Sequence, residues 1–404
     1  MDASPDPDLE AFRRTVRDFL HQTITPDIRA QAQRQAGIAA EPALGIWWLK
    51  ELHKKGWAAP AWPKEYGGTG WDAARRHIFE EECVRAGAPT LWVSGHQLLG
   101  PVVMQFGTQA QKDFFLPRIL NGEHYWAQGF SEPGSGSDLA SLSTQAVLDG
   151  DHYVVNGSKI WTSHAHWSNW IFLLVRTAKT ANKREGITFL VTPTDTPGIT
   201  VQPIVSMSGE HETNQVFLDN VRIPVTNRIG DEGQGWAIAK YLLEFERAGS
   251  YAAQAQASLD EARTAAKSPD PVTGERLWDD PQFRRDFADA QLRVTAQSWM
   301  EKRVVSAISS GQNVGDAIAS ILKLCGSECQ QAAQEVSVTA LGPLGMADQR
   351  AALKPGSNEA AIGTPSAIRP TAKYLNGRAA SIYGGSNEIQ RNILFRFISA
   401  GQVP

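Results

Sequence analysis

Apolar residues recur at helical spacing through the first third of the chain. Leu9, Phe12, Val16, Phe19 and Leu20 mark a helix over Leu9–Ile24, with Asp6-Pro7 as its start. The pattern returns over Ile46–Lys55, where Gly56 stops it, and again over Ala73–Ala86, Pro101–Phe106 and Gln109–Leu120. Ala58–Gly68 holds two prolines and two glycines, so it reads as a structured loop. Residues 1–123 are therefore expected to form an N-terminal α-helical domain.

The texture changes after Gly122. Tyr125–Phe130 has strand character, and Thr144–Gly157 carries a Gly-containing turn between two β-type runs, the mark of a hairpin. Further strands are expected at Asn169–Arg176, Gly186–Val191, Thr200–Val205 and Asn214–Val221. Residues 124–230 thus read as a central β-domain, barrel-like or sandwich-like. From Gly235 the pattern is helical again, at 235–266, 280–310, 312–341, 366–380 and 386–399. Gly342-Pro343-Leu344-Gly345 breaks this series, and 346–365 forms a Pro- and Gly-bearing excursion. Residues 231–404 are expected to be a C-terminal helical bundle, making the fold class α+β and mainly α.

Composition narrows the job. The chain has 404 residues, 42% hydrophobic and 20% charged, which suits a globular protein with a large core. Lys+Arg 39 against Asp+Glu 43 gives a net charge of -4, and this disfavours nucleic acid as a partner. Three cysteines are too few for a disulfide framework and point to a reducing compartment. The acidic, Pro-rich Met1–Asp8 lacks the order of a secretory signal, and no apolar run is long enough to span a bilayer. A cytoplasmic protein without a membrane partner is expected.

The candidate chemistry begins on the helix at Gly235. At about 100° per residue, Glu246 lies on the stripe of Trp236, Ala239, Leu242 and Leu243, whereas Glu244 points away. A carboxylate on an apolar stripe loses hydration on ionising, which raises its pKa toward that of a general base. An ion pair with Arg247 or another cation at a packing edge is the alternative. The loop Gly129–Ser141 holds glycines and hydroxyls after a strand, as phosphate and flavin cradles do, although a plain turn has the same composition. Trp161-Thr162-Ser163 offers an aromatic plane and hydroxyls to a planar heterocycle, or a core tryptophan. Ile382–Arg391 places two glycines and a serine at a helix start. Cys325 and Cys329, and His164-Ala165-His166, lack the partners of a metal shell. No Gly-x-Ser-x-Gly elbow or Walker loop occurs, against hydrolase and NTPase readings.

Together these residues resemble the acyl-CoA dehydrogenase family over nearly the whole chain. The likeness rests on Gly56-Trp57, Trp62-Pro63, Tyr66-Gly67-Gly68, Phe130–Asp138, Lys159–Ser163, Val221–Pro224, Gly233–Trp236 and Tyr383–Arg391, in that order. It implies three domains ending in a four-helix bundle, with FAD between the β-domain and the helices. By matched position it implies that Gln128, Phe130, Ser131, Trp161, Thr162, Ser163, Ser386 and Glu388 contact FAD. Ser137, Arg247, Tyr383 and Gly384 would contact the acyl-CoA. Many members carry the catalytic base directly after the motif tyrosine, where Gly384 stands here; a second group carries it on the first bundle helix before an arginine, where Glu246-Arg247 stands. The implied reaction is oxidation of an acyl-CoA to a trans-2-enoyl-CoA, with electrons passed to an electron-transfer flavoprotein.

Two motifs depart from the family. An Arg-x-Phe-Gly element is replaced by Gly274–Pro281, and a Gly-Gly pair by Gly342-Pro343. With the 346–365 excursion, these resemble actinobacterial members that act on bulky acyl chains, some as heteromers. The expected substrate is a bulky or branched, sterol side chain-like acyl group, and the expected assembly a homo-oligomer or a heteromer with a related chain. A non-catalytic or half-site subunit, and a flavin oxidase or monooxygenase on the same fold, are the rival readings.

Overall fold

A computed structural model describes residues 6–246, 250–270, 273–312, 315–354, 356–364 and 367–401. Helices α1 (Pro7–Thr23), α2 (Pro26–Ala32), α3 (Pro42–Lys55), α4 (Ala73–Ala86), α5 (Gly100–Phe106) and α6 (Gln109–Leu120) come first. Their ends follow local rules. Asp72 caps α4, left-handed Gly87 closes it, and Thr108 and Gln111 form a reciprocal capping box on α6. A single π-helical turn, Ser94–Leu99, runs directly into α5. Trp48, Leu52, Leu99, Val102 and Ile119 form the core between these helices, with Trp126 of the sheet inserted among them.

The strands are β1 (Trp126–Gly129), β2 (Gln145–Asp149), β3 (His152–Lys159), β4 (Trp170–Arg176), β5 (Ile187–Pro193), β6 (Ile199–Val205), β7 (His211–Pro224) and β8 (Arg228–Ile229). They form one sheet in the order β6-β7-β3-β2-β4-β5-β8, with β1 parallel to β4. The expected hairpin is β2–β3, turning at left-handed Gly150. Alternation divides the sheet's two faces. Phe172, Leu174, Phe189 and Val191 join the N-terminal helices, while Ile171, Leu173, Val175 and Leu190 pack with Tyr153, Val155 and Val216.

The helix expected over 235–266 is two helices, α7 (Gly235–Glu246) and α8 (Tyr251–Lys267). The two have different partners: α7 lies on β5, α5 and the π-turn, whereas α8 lies with α9 (Pro281–Ser309) and α10 (Gly315–Thr339). One straight helix cannot reach both, and apolar periodicity does not register the break. Leu259, Ala262, Phe287, Val294 and Ala333 fill the α8–α9–α10 core. Helices α12 (Arg369–Gly377) and α13 (Asn387–Ser399) pack on α10.

The excursion after Met346 folds back onto the rest of the chain. It contains α11 (Arg350–Leu353), and Ala352 and Leu353 pack with Ile368, Ala372 and Ala36 of the N-terminal part. Among the described residues, no helix is long and apolar enough to cross a membrane.

Candidate active site

The Gly129–Ser141 loop is shaped by one buried ion pair. Lys159, at the end of β3, places Nζ 2.7 Å from Oε1 of Glu132 and also donates to the Phe130 carbonyl at 3.2 Å. The second Glu132 oxygen accepts from the Ser143 backbone at 2.6 Å and from its hydroxyl at 2.9 Å. Burial opposes ionisation of Glu132, but the ammonium and these donors outweigh it and hold the carboxyl at about 2. A tight turn then joins the Glu132 and Ser135 backbones in both directions at 2.9 Å. Beyond it, Gly134, Gly136 and Ser137 are exposed, while Phe130 is buried and Gln128 and Ser131 are partly buried. The Ser131 carbonyl accepts from Ile160 N–H at 2.9 Å, which brings this loop against the Trp161–Ser163 turn.

That turn is strained. Among the described non-glycine residues, Trp161 (φ 60), His164 (φ 57) and Asn220 (φ 51) adopt positive φ, so two of them lie within four positions. Left-handed backbone costs an ordinary residue roughly 1–2 kcal/mol, and such strain persists only where neighbours hold it. Strand β7 does the holding. Thr162 N–H donates to the Asn214 carbonyl at 2.9 Å, and His164 N–H to the Glu212 carbonyl at 2.8 Å. The consequence for the side chains is opposite at adjacent positions. Trp161 is 60% exposed, and Thr162 is wholly buried with no hydrogen-bond partner for Oγ1 among the described residues. Trp161 is therefore an outward-facing ring and not a core tryptophan. Ser163 is partly buried beside them.

Glu212 ties this region to both ends of the chain. Its carboxylate accepts from the Ile38 backbone N–H and from Asn376 Nδ2 of α12, the latter at 3.0 Å. Burial pushes its carboxyl above the ordinary carboxylate range, against the pull of those donors.

Of the stripe expected on α7, Ala239 and Leu242 are wholly buried and Trp236 and Leu243 partly buried; Ile238, not expected on it, is also wholly buried, and Glu244 is exposed. Gly235 sets the start of α7: a Cβ there would lie 2.7 Å from the Ile187 carbonyl oxygen of β5, so the helix rests on the strand backbone. Its far end is held by Gln97 of the π-turn, whose Nε2 donates to the Phe245 carbonyl at 2.8 Å. Glu246 is the last residue of α7; its side chain, and Arg247, lie outside the described residues.

The C-terminal motif forms its own turn. Gly384 (φ 64) and Gly385 (φ 81) are left-handed, and Gln390 Nε2 donates to both of their carbonyls at 3.3 and 3.1 Å. Ser386 caps α13, Glu388 is exposed, and Tyr383 is half exposed. Buried Asn387 accepts from Lys323 Nζ of α10 at 2.9 Å. The hydrogen bonds of this motif thus run to α10, whereas Ser131, Trp161, Thr162 and Ser163 are gathered by the sheet.

Sequence reasoning missed the residues that hold the site: Glu132, Lys159, Glu212, Asn214 and Gln97. Lys159 carried a signal, as a charged residue at the end of a β-type run, whereas Glu132 lies in the glycine- and serine-bearing loop. Asn214 and Glu212 carried none, since Thr162 and Asn376, which they hold, lie about 50 or more positions away.

Helical domain, sheet and helical bundle, in that order, are the layers of the acyl-CoA dehydrogenase fold. Sequence profiles agree: the acyl-CoA dehydrogenase N-terminal domain matches residues 6–123, the middle domain 127–221 and the C-terminal domain 233–399. Acyl-CoA dehydrogenase IpdE1 of Mycobacterium tuberculosis is 35% identical over 96% of each chain. The ChsE4-ChsE5 complex from the same organism aligns at TM-score 0.81 with 32% identity over 100% of both chains. The Tcur3481-Tcur3483 steroid ACAD aligns at TM-score 0.83 with 30% identity, again over 100% of both. This chain belongs to the acyl-CoA dehydrogenase family, whose enzymes are oxidoreductases acting on CH–CH bonds.

Proposed function

We propose that the chain is an FAD-dependent dehydrogenase of a bulky acyl-CoA thioester, with its domains meeting near residues 123/124 and 230/231. The observation that carries this reading is the turn at 161–163: a strained, exposed indole two positions before a partly buried serine. A planar heterocycle with hydrogen-bonding edges suits both. Phe130, Ser131, Trp161, Thr162 and Ser163 would hold FAD from the sheet side, with Gln128 behind them and Ser386 and Glu388 reached from α13. FAD when bound supplies a two-electron acceptor for the hydride leaving the β-carbon.

Glu246 is the base. Its carboxylate takes the proton from the carbon α to the thioester, at the end of a helix whose apolar stripe keeps water away. Ser137, Arg247, Tyr383 and Gly384 bind the acyl-CoA; the glycine at 384 leaves room where many relatives carry their base. Likeness to the Tcur3481-Tcur3483 steroid ACAD supports a sterol side chain-like acyl group. Likeness to the ChsE4-ChsE5 complex supports assembly with a related chain. An electron-transfer flavoprotein is the electron acceptor.

Anaerobic bleaching of the bound flavin by a panel of acyl-CoA thioesters tests the reading. Sterol side chain-like thioesters should bleach it fastest; fastest bleaching by straight short chains would overturn the substrate assignment. A purified chain that is colourless alone but gains flavin with a related chain would instead be a half-site subunit.

A further inference from the structure

Asn214 makes more contacts at the Trp161–Ser163 turn than strand pairing requires. Its backbone carbonyl accepts Thr162 N–H at 2.9 Å, and its side-chain Nδ2 donates to the Thr162 carbonyl at 3.0 Å. One residue therefore grips both polar groups of the Thr162 backbone. Both residues are wholly buried, so neither group has water as a substitute.

The amide can do this in one orientation only. Nδ2 also lies 3.0 Å from Nδ1 of His166, and Oδ1 lies 2.7 Å from Nε2 of His211. With one Nδ2 hydrogen on the Thr162 carbonyl, the other suits His166 Nδ1 as an acceptor, and Oδ1 takes the Nε2–H of His211. Turning the amide over would set Oδ1 against the Thr162 carbonyl oxygen. The two imidazoles are themselves fixed, stacked at 3.8 Å with 18° between their planes. Burial, and then the neighbouring His211, push His166 down to about 4, which keeps its Nδ1 free to accept near neutral pH.

What the amide holds is the carbonyl following a left-handed tryptophan. Were both grips released, the peptide planes on either side of Thr162 could turn, the left-handed Trp161 would lose its restraint and Ser163 would leave its present direction. We propose that Asn214 is a positioning residue, locked by His166 and His211, that keeps Trp161 and Ser163 aimed at the flavin. The inference rests on the flavin reading above and extends it to residues that do not touch the cofactor.

The test titrates FAD into apoprotein of the wild type, Asn214→Asp and His211→Phe, and records the dissociation constant and the visible flavin band. Asn214→Asp keeps the shape but sets a carboxylate oxygen against the Thr162 carbonyl. It should raise the FAD dissociation constant at least tenfold and shift the flavin band. His211→Phe keeps a stacked ring but releases Oδ1, and should raise the constant at least threefold. This second variant decides the matter if Asn214→Asp does not fold. Constants within twofold of wild type and an unmoved band overturn the role of Asn214 while leaving the flavin reading intact. A wild-type chain that binds no FAD either alone or mixed with a related acyl-CoA dehydrogenase chain overturns both.

Discussion

Lys159 Nζ and Glu132 Oε1 lie 2.7 Å apart, with side-chain exposures of 0% and 5%. Desolvating two charges costs about as much as their attraction returns, so such a pair adds little net stability but is costly to break. Lys159→Met leaves Glu132 buried without its cation and should cost about 3–5 kcal/mol. The double variant Glu132→Gln, Lys159→Met should recover more than half of that. Denaturant midpoints of the three proteins check this, and equal losses in the single and double variants would contradict it.

The same carboxyl has a pH signature. Its pKa falls from the ordinary 4.5 to about 2 on folding. A depressed carboxyl contributes stability above its unfolded pKa and loses it as pH falls through the folded one. The wild type should therefore lose stability more steeply than Glu132→Gln between pH 4.5 and 2. Acid-unfolding curves of the two proteins measure the difference, and parallel curves would refute it.

Glu246→Gln should keep FAD and acyl-CoA binding and slow substrate bleaching of the flavin by roughly 10²–10⁴-fold. Glu244→Gln, at an exposed position on the same helix, should bleach at nearly the wild-type rate. Rapid-mixing kinetics separate the two, and the reverse ranking would move the base to Glu244.

Gln97→Leu withdraws the donor that Nε2 gives to the Phe245 carbonyl, one residue before Glu246. A neutral hydrogen bond is worth about 1 kcal/mol, and turnover should drop about fivefold if that loss falls on the aligned helix end. Flavin content should stay unchanged. A loss of flavin with normal turnover per bound FAD would show that Gln97 serves the cofactor instead.

Gly235→Ala puts a methyl group 2.7 Å from the Ile187 carbonyl oxygen. Strand backbone gives little, so α7 must lift from β5 at a cost of about 1–3 kcal/mol. Thermal melting should show the loss, together with reduced turnover as the far end of α7 shifts.

What the sequence disclosed was what neighbours along the chain decide. Asp72 and Gly87 bracket α4 at the limits expected, and Gly150 places the β2–β3 turn. The α7 stripe was legible because burial follows helical period, and Ala239 and Leu242 are wholly buried. The break between α7 and α8 was not, since both helices carry the same apolar texture and differ only in what they touch. Trp161 shows the limit at one residue: its type fits a core or a ligand, and its backbone conformation, set by β7 half a hundred positions on, decides which way it faces. Asn214 and Glu212 hold residues far away in sequence, Thr162 and Asn376, and the nearby His211 does not mark that role.

The carboxylate of Glu212 receives hydrogen bonds from the Ile38 and Ala39 backbones and from the Asn376 side chain. This fixes an order of events during synthesis. When β7 has left the ribosome, α12 has yet to be made, and the carboxylate can hold only its N-terminal partners. The clasp closes after Asn376 emerges, behind the whole of α8, α9 and α10. Flavin capture should follow the same schedule, with a nascent chain arrested before Asn376 retaining cofactor poorly and one arrested beyond α13 retaining it well.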